Sequence, residues 1–417
     1  GEGGAGTFSD GKLYSQIKDP RHLSRKVLTE FVKAGAPDDI LWEAHPHIGT
    51  FRLVTMVMSM RETIEQLGGE YRFQTRVVDF DVKDGQLQGL HCVSTADGAE
   101  TTIPARHCIM AVGHSARDTF EALHARGVFM EPKPFAIGVR IEHPQSWIDR
   151  ARYGANAGNP ILGPAAYALS HQASNGRAVY SFCMCPGGRV VAATSEEGRV
   201  VTNGMSQYSR AERNANAGMV VAIDPSDYPL DAEAWIAAFG AADGARYVAE
   251  AQALQARGQT HALAGVVFQR QLESRAFEVG GRDYQAPGQL VGDFLAGKPS
   301  QQFGAVQPSY KPGVKLGDLS QVLPGFAVAA MREALPVFGR KIRGYDMADA
   351  VMTGVETRTS SPLRITRGED CQSLNVAGLY PAGEGAGYAG GILSAGVDGI
   401  KVAEAIARAA VGAPEPA

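Results

Sequence analysis

The amino-acid sequence predicts an α/β fold in which one domain is interrupted by a second domain. Both ends of the chain show strand–loop–helix patterns, whereas residues 135–330 mix short β-like runs with long polar loops. An apolar strand, a glycine-rich turn and an alanine-rich helix follow one another near the C-terminal end. The 417 residues are too many for one simple core. We therefore expect residues 1–133 and 346–417 to form one domain, with residues 134–345 inserted as a mixed α+β domain.

Charge and cysteine content exclude several classes of protein. The formal net charge of −4 gives no overall attraction to nucleic acid or to an anionic membrane. No stretch approaches the roughly 18 consecutive apolar residues that span a bilayer, and the residues that follow Gly1 do not resemble a signal peptide. The five cysteines are too few and too scattered for a disulfide framework. We expect a soluble cytoplasmic protein with no nucleic-acid partner.

The first part of the chain contains a helix followed by an antiparallel meander. Apolar residues recur on one helical face from Thr50 to Leu67, Thr50 can cap the start, and Gly68-Gly69 ends the pattern. Two alternating segments, Tyr71–Val82 and Gln86–Thr95, then predict strands joined by a hairpin turn.

A further apolar strand, His107–Val112, runs into Gly113. A strand that follows a meander and ends in glycine can return the chain past a bound ligand, although any buried strand can end in the same way. In the middle of the chain, Val179–Met184 and Val190–Ala193 predict strands, and residues 232–255 predict one helix.

The strongest chemical signal is a glycine-rich turn between the last apolar strand and the last helix. Gly385, Gly387 and Gly390 match G-x-G-x-x-G, and the free N–H groups at a helix start favour an electron-rich ligand. Only 26 residues follow Gly391, too few for the remainder of a first Rossmann unit. The closing segment of an FAD domain does fit: Glu384 would accept hydrogen bonds from the ribityl chain, and the helix start would face the flavin pyrimidine. Alternatively, Glu384 only complements the helix dipole.

A second match, formed by Gly1, Gly3 and Gly6, has the wrong context for a phosphate-binding turn. No strand precedes it, and Thr7–Lys12 is a poor helix start. A loop that packs its backbone against a flat ligand is the better interpretation, and a flexible tail is the alternative.

Five longer motifs resemble one protein family. They are Gly1–Leu13, Cys183–Gly188, Asn203–Ser206, Gly354–Pro362 and Tyr380–Ile392. Over essentially the whole chain the sequence is similar to the bacterial FAD-dependent dehydrogenase family of NAD(P)/FAD-dependent oxidoreductases. The resemblance implies a glutathione-reductase-type FAD-binding domain with an inserted substrate domain. It also implies that the first βαβ unit lies upstream, so that this sequence is an N-terminally truncated fragment with weak flavin binding.

The resemblance also indicates which residues contact the cofactor. It places the 1–13 loop near the isoalloxazine or the pyrophosphate, where small residues permit close backbone approach. Lys12 either meets a phosphate or is solvated, and His47 either lies near the cofactor or is an ordinary loop histidine. The complete predicted set is Gly3, Gly4, Ala5, Gly6, Lys12, Gly113, Gly383, Glu384, Gly390, Gly391 and Ile392.

Three side chains in the middle and closing segments are candidates for chemistry. Cys183 and Cys185 end a predicted strand, where a thiol near a flavin can exchange electrons. The alternative is two small buried apolar side chains beside a Pro-Gly-Gly turn. Arg358, like Arg364, either orients a carboxylate or phosphate or forms a surface salt bridge. No metal site is expected, because no second Cys/His pair stands at zinc spacing.

Residues 134–345 contain no second strand–GxGxxG–helix unit for a nicotinamide cofactor. NADH or NADPH would then bind only transiently, or hydride would come from the substrate or a protein donor. The leading hypothesis is an FAD-dependent oxidoreductase that acts on a small organic substrate. The alternatives are a flavin-dependent tRNA-modifying enzyme, for which the basic cluster Arg340-Lys341-Arg343 is small, and a non-catalytic flavin-binding protein.

Overall fold

The structure is a computed structural model that describes residues 11–15 and 17–411. Up to residue 133 the elements are α1 (Leu23–Lys33), α2 (Thr50–Gln66), β1 (Thr75–Lys83), β2 (Gln86–Ser94), β3 (Glu100–Pro104), β4 (Cys108–Met110), α3 (Arg117–Ala125) and β5 (Met130–Pro132). From residue 134 to 359 they are β6 (Phe135–Pro144), α4 (Gln145–Tyr153), β7 (Ser170–Gln172), β8 (Ala178–Ala192), β9 (Thr202–Met205), β10 (Asn214–Ile223), α5 (Ala232–Phe239), α6 (Ala241–Gln255), α7 (Ala264–Gly280), β11 (Ala286–Leu290), α8 (Val291–Ala296), β12 (Val314–Leu316), α9 (Gly325–Lys341) and β13 (Val351–Glu356). The remaining elements are β14 (Leu363–Ile365), β15 (Leu379–Pro381) and α10 (Ile392–Val411).

The chain folds into two compact units. Unit 1 consists of the described residues up to Lys133, residues 259–265 and the described residues from Ser360 onward; unit 2 consists of residues 134–258 and 266–359. Strand β13 lies in unit 2, because it pairs with β6 and β11. Residues 346–359, which the sequence pattern assigned to the closing part of the first domain, therefore fold with the middle of the chain.

In unit 1 the predicted meander is confirmed as a three-stranded antiparallel sheet in the order β1-β2-β3. Asp84 and Gly85 both have positive φ angles, 51° and 73°. Positive φ angles at both central residues are typical of the two-residue hairpin turn whose backbone twist matches the twist of the two flanking strands.

The predicted helix is confirmed over Thr50–Gln66 and ends before the glycine pair, but Gly49 rather than Thr50 occupies the N-cap position. Gly68 has a φ of +90°, and the Gly69 N–H donates to the Ile64 carbonyl oxygen at 2.9 Å. Helix α2 shares a core with α1 and α10. A Cβ on Gly396 would lie 2.8 Å from a Val27 methyl group, so a glycine at this position allows α10 to approach α1 closely.

Unit 2 is built on an eight-stranded, mainly antiparallel sheet with accompanying helices, so this part of the chain is mixed α and β. The strand order is β12-β11-β13-β6-β10-β8-β7, with β9 added to β8. The pairs are antiparallel except for β11 with β12. Among the described residues, no helix is both long and apolar enough to cross a membrane.

The two faces of this sheet differ in chemistry because side chains alternate along each strand. On β6, Ile137, Val139 and Ile141 point to one face, where their cross-strand partners on β10 are also apolar. The intervening residues Arg140 and Glu142 point to the other face and are fully buried there. The sheet therefore has an apolar face and a face that buries charge.

Two predictions in unit 2 are wrong for local reasons. The two strands predicted at 179–184 and 190–193 are one strand, β8, which continues through Pro186 by means of register shifts against β10. The single helix predicted at 232–255 is divided into α5 and α6 at Gly240, whose φ of 82° lies outside the helical region.

Candidate functional site

Unit 1 brings the ends of two distant strands together. Strands β4 and β15 pair in parallel, with Cys108 opposite Leu379 and Met110 opposite Pro381. The Ala382 N–H extends this pairing by donating to the Met110 carbonyl oxygen at 2.9 Å. Carboxyl ends of parallel strands meet at one edge of a sheet, which is where ligands of open α/β folds bind.

Gly113 and the turn after β15 lie at this edge in close contact. A Cβ on Gly385 would stand 2.3 Å from the Gly113 carbonyl oxygen, closer than atoms can pack. Gly113 has a φ of 76° and Gly383 a φ of 71°, which favour glycine at both positions. The turn itself is closed by the Tyr388 N–H, which donates to the Gly383 carbonyl oxygen at 3.0 Å. The backbone geometry therefore requires glycines here.

On its other side, the turn has open space among the described residues. Cβ atoms placed on Gly113, Gly383, Gly390 and Gly391 would have no described atom outside their chain neighbours within 4 Å. Helix α10 begins directly afterwards at Ile392. Glycines beside open space at a helix start leave room for a flat ligand to approach the backbone.

A buried ion pair supports the turn from beneath. The Asp398 carboxylate accepts a hydrogen bond from the Gly383 N–H at 2.7 Å and pairs with the Arg367 guanidinium at 2.5 Å. Arg367 also donates to the Pro381 carbonyl oxygen at 2.6 Å. We did not predict either side chain from the sequence, although an aspartate next to Val397 on the apolar side of a helix is the kind of signal that indicates a buried partner.

Glu384 lies on this turn beside a histidine from the end of the β4 strand. Its Oε1 atom is 3.5 Å from His114 Nδ1, and both side chains are about one-fifth exposed. A half-buried carboxylate that remains accessible can accept hydrogen bonds from ligand hydroxyl groups. The described geometry thus brings together six of the predicted residues: Gly113, Gly383, Glu384, Gly390, Gly391 and Ile392.

Of the predicted N-terminal loop, Gly3, Gly4, Ala5 and Gly6 lie outside the described residues. Lys12 forms an isolated antiparallel bridge with His47. The Ile48 N–H donates to the Gly11 carbonyl oxygen at 3.1 Å beside this bridge. The two residues that the sequence singled out separately, Lys12 and His47, are therefore neighbours.

In unit 2, Cys183 and Cys185 lie within β8 and no disulfide joins them. The expectation that these cysteines end a strand is wrong, because β8 continues to Ala192. The register against β10 shifts between Phe182 and Cys185, so that Cys183 lies in a β-bulge with a φ of 40° and is exposed, whereas Cys185 is fully buried.

A buried arginine holds this bulge in place. Arg140 Nη1 donates to the Cys183 carbonyl oxygen at 2.8 Å, and its Nε and Nη2 atoms bind the Glu356 carboxylate at 2.6 and 3.0 Å. The Cys185 thiol lies 3.3 Å from the same carbonyl oxygen. The sequence pattern did not indicate Arg140, because its partners lie on four separate strands, β8, β9, β10 and β13.

Arg358 is engaged in a buried ion pair. Its Nη2 lies 3.1 Å from Glu273 Oε2, and its Nη1 donates to Ser195 Oγ at 2.7 Å. These contacts fix the side chain within unit 2. Arg364, the second arginine considered, is exposed in unit 1 with its guanidinium 5.4 Å from the Tyr388 ring centroid.

The chain belongs to the family described as FAD-dependent protein, C-terminal domain-like, whose model matches residues 134–359. A relative from Clostridium beijerinckii, described as an uncharacterized protein, is 47% identical over 407 residues, which are 97% of this chain and 69% of the relative. FAD is thus the cofactor of the family, and the open glycine turn of unit 1 fits the backbone approach of a flat ring system.

Overlaps with solved structures are weaker. Quinol-fumarate reductase with menaquinol molecules overlaps with a TM-score of 0.37 at 13% identity over 99% of this chain and 66% of that chain. A flavocytochrome c3 fumarate reductase gives 0.33 at 11% identity over 92% and 61%. The rebeccamycin biosynthetic enzyme RebC gives 0.23 at 14% identity over 44% and 27%. The chain spans less than two thirds of each of these proteins, and TM-scores of this size carry no conclusion about function.

Proposed function

We propose that this chain belongs to an FAD-dependent oxidoreductase that moves hydride or electrons between bound FAD and a small organic substrate. In this proposal unit 1 is a glutathione-reductase-type FAD-binding domain and unit 2 is its substrate domain. The observation that carries the proposal is the meeting of Gly113, Glu384 and the glycine turn at the carboxyl ends of β4 and β15. The family match supplies the identity of the cofactor.

The residues of unit 1 divide the binding task between them. Glu384 accepts hydrogen bonds from the ribityl hydroxyl groups, and the glycines at 113, 383, 390 and 391 let the backbone approach the ring system. The N–H groups from Gly391 and Ile392 onward, with the positive end of the α10 dipole, favour negative charge at the edge of the ring. When bound, FAD supplies the acceptor and donor of electrons. Gly3, Gly4, Ala5, Gly6 and Lys12 stay expected contacts for the rest of the cofactor.

We also propose residues of unit 2 that would act on the substrate. The exposed Cys183 is the better placed of the two thiols to exchange electrons, because Cys185 is fully buried. Arg358 is retained as an anion-orienting candidate, although its ion pair with Glu273 also gives it a structural task. NADH or NADPH is the proposed transient reductant.

The test is an absorption spectrum of the protein expressed from its complete gene and supplied with FAD. We expect flavin bands that bleach with a reductant under anaerobic conditions. Replacing Glu384 by Gln should weaken FAD binding by about 10-fold or more, since one charge-assisted acceptor is worth roughly 1.5–3 kcal/mol. Glu369→Gln is the matched control, because Glu369 is exposed on a loop of the same unit.

Three results decide the proposal. A correctly folded protein that binds no FAD contradicts it. FAD binding without reduction by NADH, NADPH or any substrate tested would favour a non-catalytic flavin-binding protein. Equal FAD affinity for Glu384→Gln and Glu369→Gln would remove Glu384 from the site.

A further inference from the structure

The glycine turn of unit 1 (residues 383–391) contains a tyrosine that is held in three ways. The Tyr388 N–H donates to the Gly383 carbonyl oxygen at 3.0 Å, and the Tyr388 hydroxyl accepts a hydrogen bond from the Arg367 backbone N–H at 2.9 Å. The Arg367 guanidinium carbon lies 3.9 Å from the centroid of the Tyr388 ring. Tyr388 is therefore fixed at its backbone, its ring and its hydroxyl group.

The Arg367 guanidinium connects this tyrosine to helix α10. Its Nη2 atom donates to Asp398 Oδ1 at 2.5 Å, and its Nη1 atom donates to Asp398 Oδ2 at 3.1 Å. The same Oδ2 atom accepts the Gly383 N–H at 2.7 Å, so that Gly383, Tyr388, Arg367 and Asp398 form a closed turn network. Both charged side chains are less than one-tenth exposed. A bidentate pair of arginine and carboxylate fixes the relative orientation of the two partners.

The turn network surrounds the backbone of Glu384, the residue that follows Gly383. The Glu384 carbonyl oxygen accepts the Gly387 N–H at 3.0 Å, so this residue is also held from within the turn. Its carboxylate stays about one-fifth exposed, with Oε1 at 3.5 Å from His114 Nδ1. The backbone of Glu384 is thus fixed while its carboxylate remains accessible to a ligand.

Arg367 joins the network to strand β15 as well, because its Nη1 atom donates to the Pro381 carbonyl oxygen at 2.6 Å. A group that contacts a ligand binds it more tightly when it already stands in its binding geometry, since it is then ordered on folding rather than on binding. Residues that hold the turn can therefore strengthen the binding of a ligand that they do not touch.

We infer that Asp398, Arg367 and Tyr388 are positioning residues that hold Glu384 in the geometry in which it binds the ribityl chain of FAD. The inference rests on the proposed function, because it assigns these residues to the same cofactor site. None of the three contacts FAD in this assignment. They act on it through the backbone of Glu384.

The first test is a double-variant cycle in the protein expressed from its complete gene. FAD affinity is measured well below the melting temperature of every variant, so that each one is folded. We expect Asp398→Asn to weaken FAD binding several-fold. In a Glu384→Gln background the same substitution should weaken it by less than about twofold, because a residue that acts through Glu384 loses its effect once the carboxylate is gone. Additive losses would overturn the inference.

Variants of the tyrosine test the network without removing a charge. Tyr388→Phe keeps the ring against Arg367 and should keep most of the affinity, whereas Tyr388→Leu should weaken FAD binding several-fold. Asp81→Asn, which alters an exposed acid on strand β1 of the same unit, is the control and should leave the affinity unchanged in both backgrounds. Unchanged FAD affinity in both Asp398→Asn and Tyr388→Leu would also overturn the inference.

Amide hydrogen exchange of the FAD-free protein separates this inference from the proposed function. The Gly383 and Tyr388 amides both donate hydrogen bonds within the network. We expect the peptide that contains residues 383–388 to exchange slowly, and several-fold faster in Asp398→Asn, as measured by mass spectrometry. Faster exchange in a protein that binds no FAD contradicts the proposed function, although the network still positions the turn. FAD binding together with equal exchange rates contradicts the positioning alone.

Discussion

At the scale of single residues, Arg140 shows how one buried side chain can hold several strands together. Its guanidinium makes five hydrogen bonds, of 2.6 and 3.0 Å to Glu356, 2.8 Å to Asn203, 3.3 Å to Asn216 and 2.8 Å to the Cys183 carbonyl oxygen. A guanidinium has five N–H donors, so this one is fully used. These hydrogen bonds compensate for the burial of the positive charge. They also fix the β-bulge that contains the exposed Cys183.

Removing one member of the buried Arg140–Glu356 ion pair should destabilise the fold. We expect Arg140→Met to lower the free energy of unfolding by about 3–5 kcal/mol, because Glu356 would remain buried without its counter-charge. The double variant Arg140→Met/Glu356→Leu should regain a large part of the loss. Denaturant unfolding checks both values.

Arg246→Met is the control for Arg140→Met, since Arg246 pairs with Asp243 on the surface of unit 2. It should change the unfolding free energy by less than about 1 kcal/mol. If the double variant is as unstable as Arg140→Met alone, the buried pair is not the source of the effect.

Only part of the candidate site could be predicted from the sequence. The predicted residues lie close together in the sequence, whereas the missed ones lie far from them. Glu384 and the glycines around it stand within ten residues of one another between a strand and a helix, so a local pattern indicates them. Asp398 acts on the same turn from a distant position in the sequence, and its significance depends on the packing of α10. No window of sequence contains that information.

At the scale of elements, predictions succeeded where one element is defined by its own residues. Helix α2 has an apolar face and a terminal glycine pair, and the β1–β2 hairpin has its turn residues. They failed where a tertiary partner overrules a local signal. Pro186 and two glycines look like the end of a strand, yet β8 continues because it pairs with β10 up to Gly188 and then with β9 from Arg189 to Ala192.

The Glu333 carboxylate is one of the groups that join helix α9 to the β7–β8 hairpin, and it makes this connection sensitive to acid. Glu333 accepts hydrogen bonds from the Ser174 hydroxyl at 2.6 Å, from the Ser174 N–H at 3.0 Å and from His171 Nε2 at 2.9 Å. The Ser174 hydroxyl and N–H, and then His171, lower the pKa of Glu333 to about 2.

The stability of unit 2 should therefore fall in acid in a way that depends on Glu333. The folded-state pKa lies below the usual value of 4.5, so the unfolded chain binds the proton more readily between these values. The contribution of Glu333 is fully present above pH 4.5 and is lost as the pH falls toward 2. Unfolding free energies at pH 7, 4.5 and 3 should show a smaller decline for Glu333→Gln than for the unsubstituted protein. Glu197→Gln, an exposed acid of the same unit, should leave the decline unchanged; an unchanged decline in Glu333→Gln would contradict the assignment.

At the scale of the whole molecule, the large sheet of unit 2 depends on a strand far away in the chain. Strand β13 (351–356) lies between β11 and β6 in the sheet, although β6 begins much earlier in the chain, at residue 135. Without β13, both neighbours would expose a row of unpaired backbone groups, which invites association with other chains. A strand from residues beyond the predicted boundary at 345 thus completes the inserted unit.

This dependence gives a direct test of where the unit ends. A fragment of residues 134–359 retains β13 and the hydrogen bond from the Ala136 N–H to Thr359 Oγ1 at 3.0 Å. We expect it to be monomeric and to unfold cooperatively, whereas residues 134–345 should aggregate or unfold without a sharp transition, because the sheet is split between β6 and β11. Gel filtration and thermal unfolding of the two fragments provide the comparison. Equal melting temperatures and a monomeric 134–345 fragment would show that β13 is dispensable and that the shorter boundary is correct.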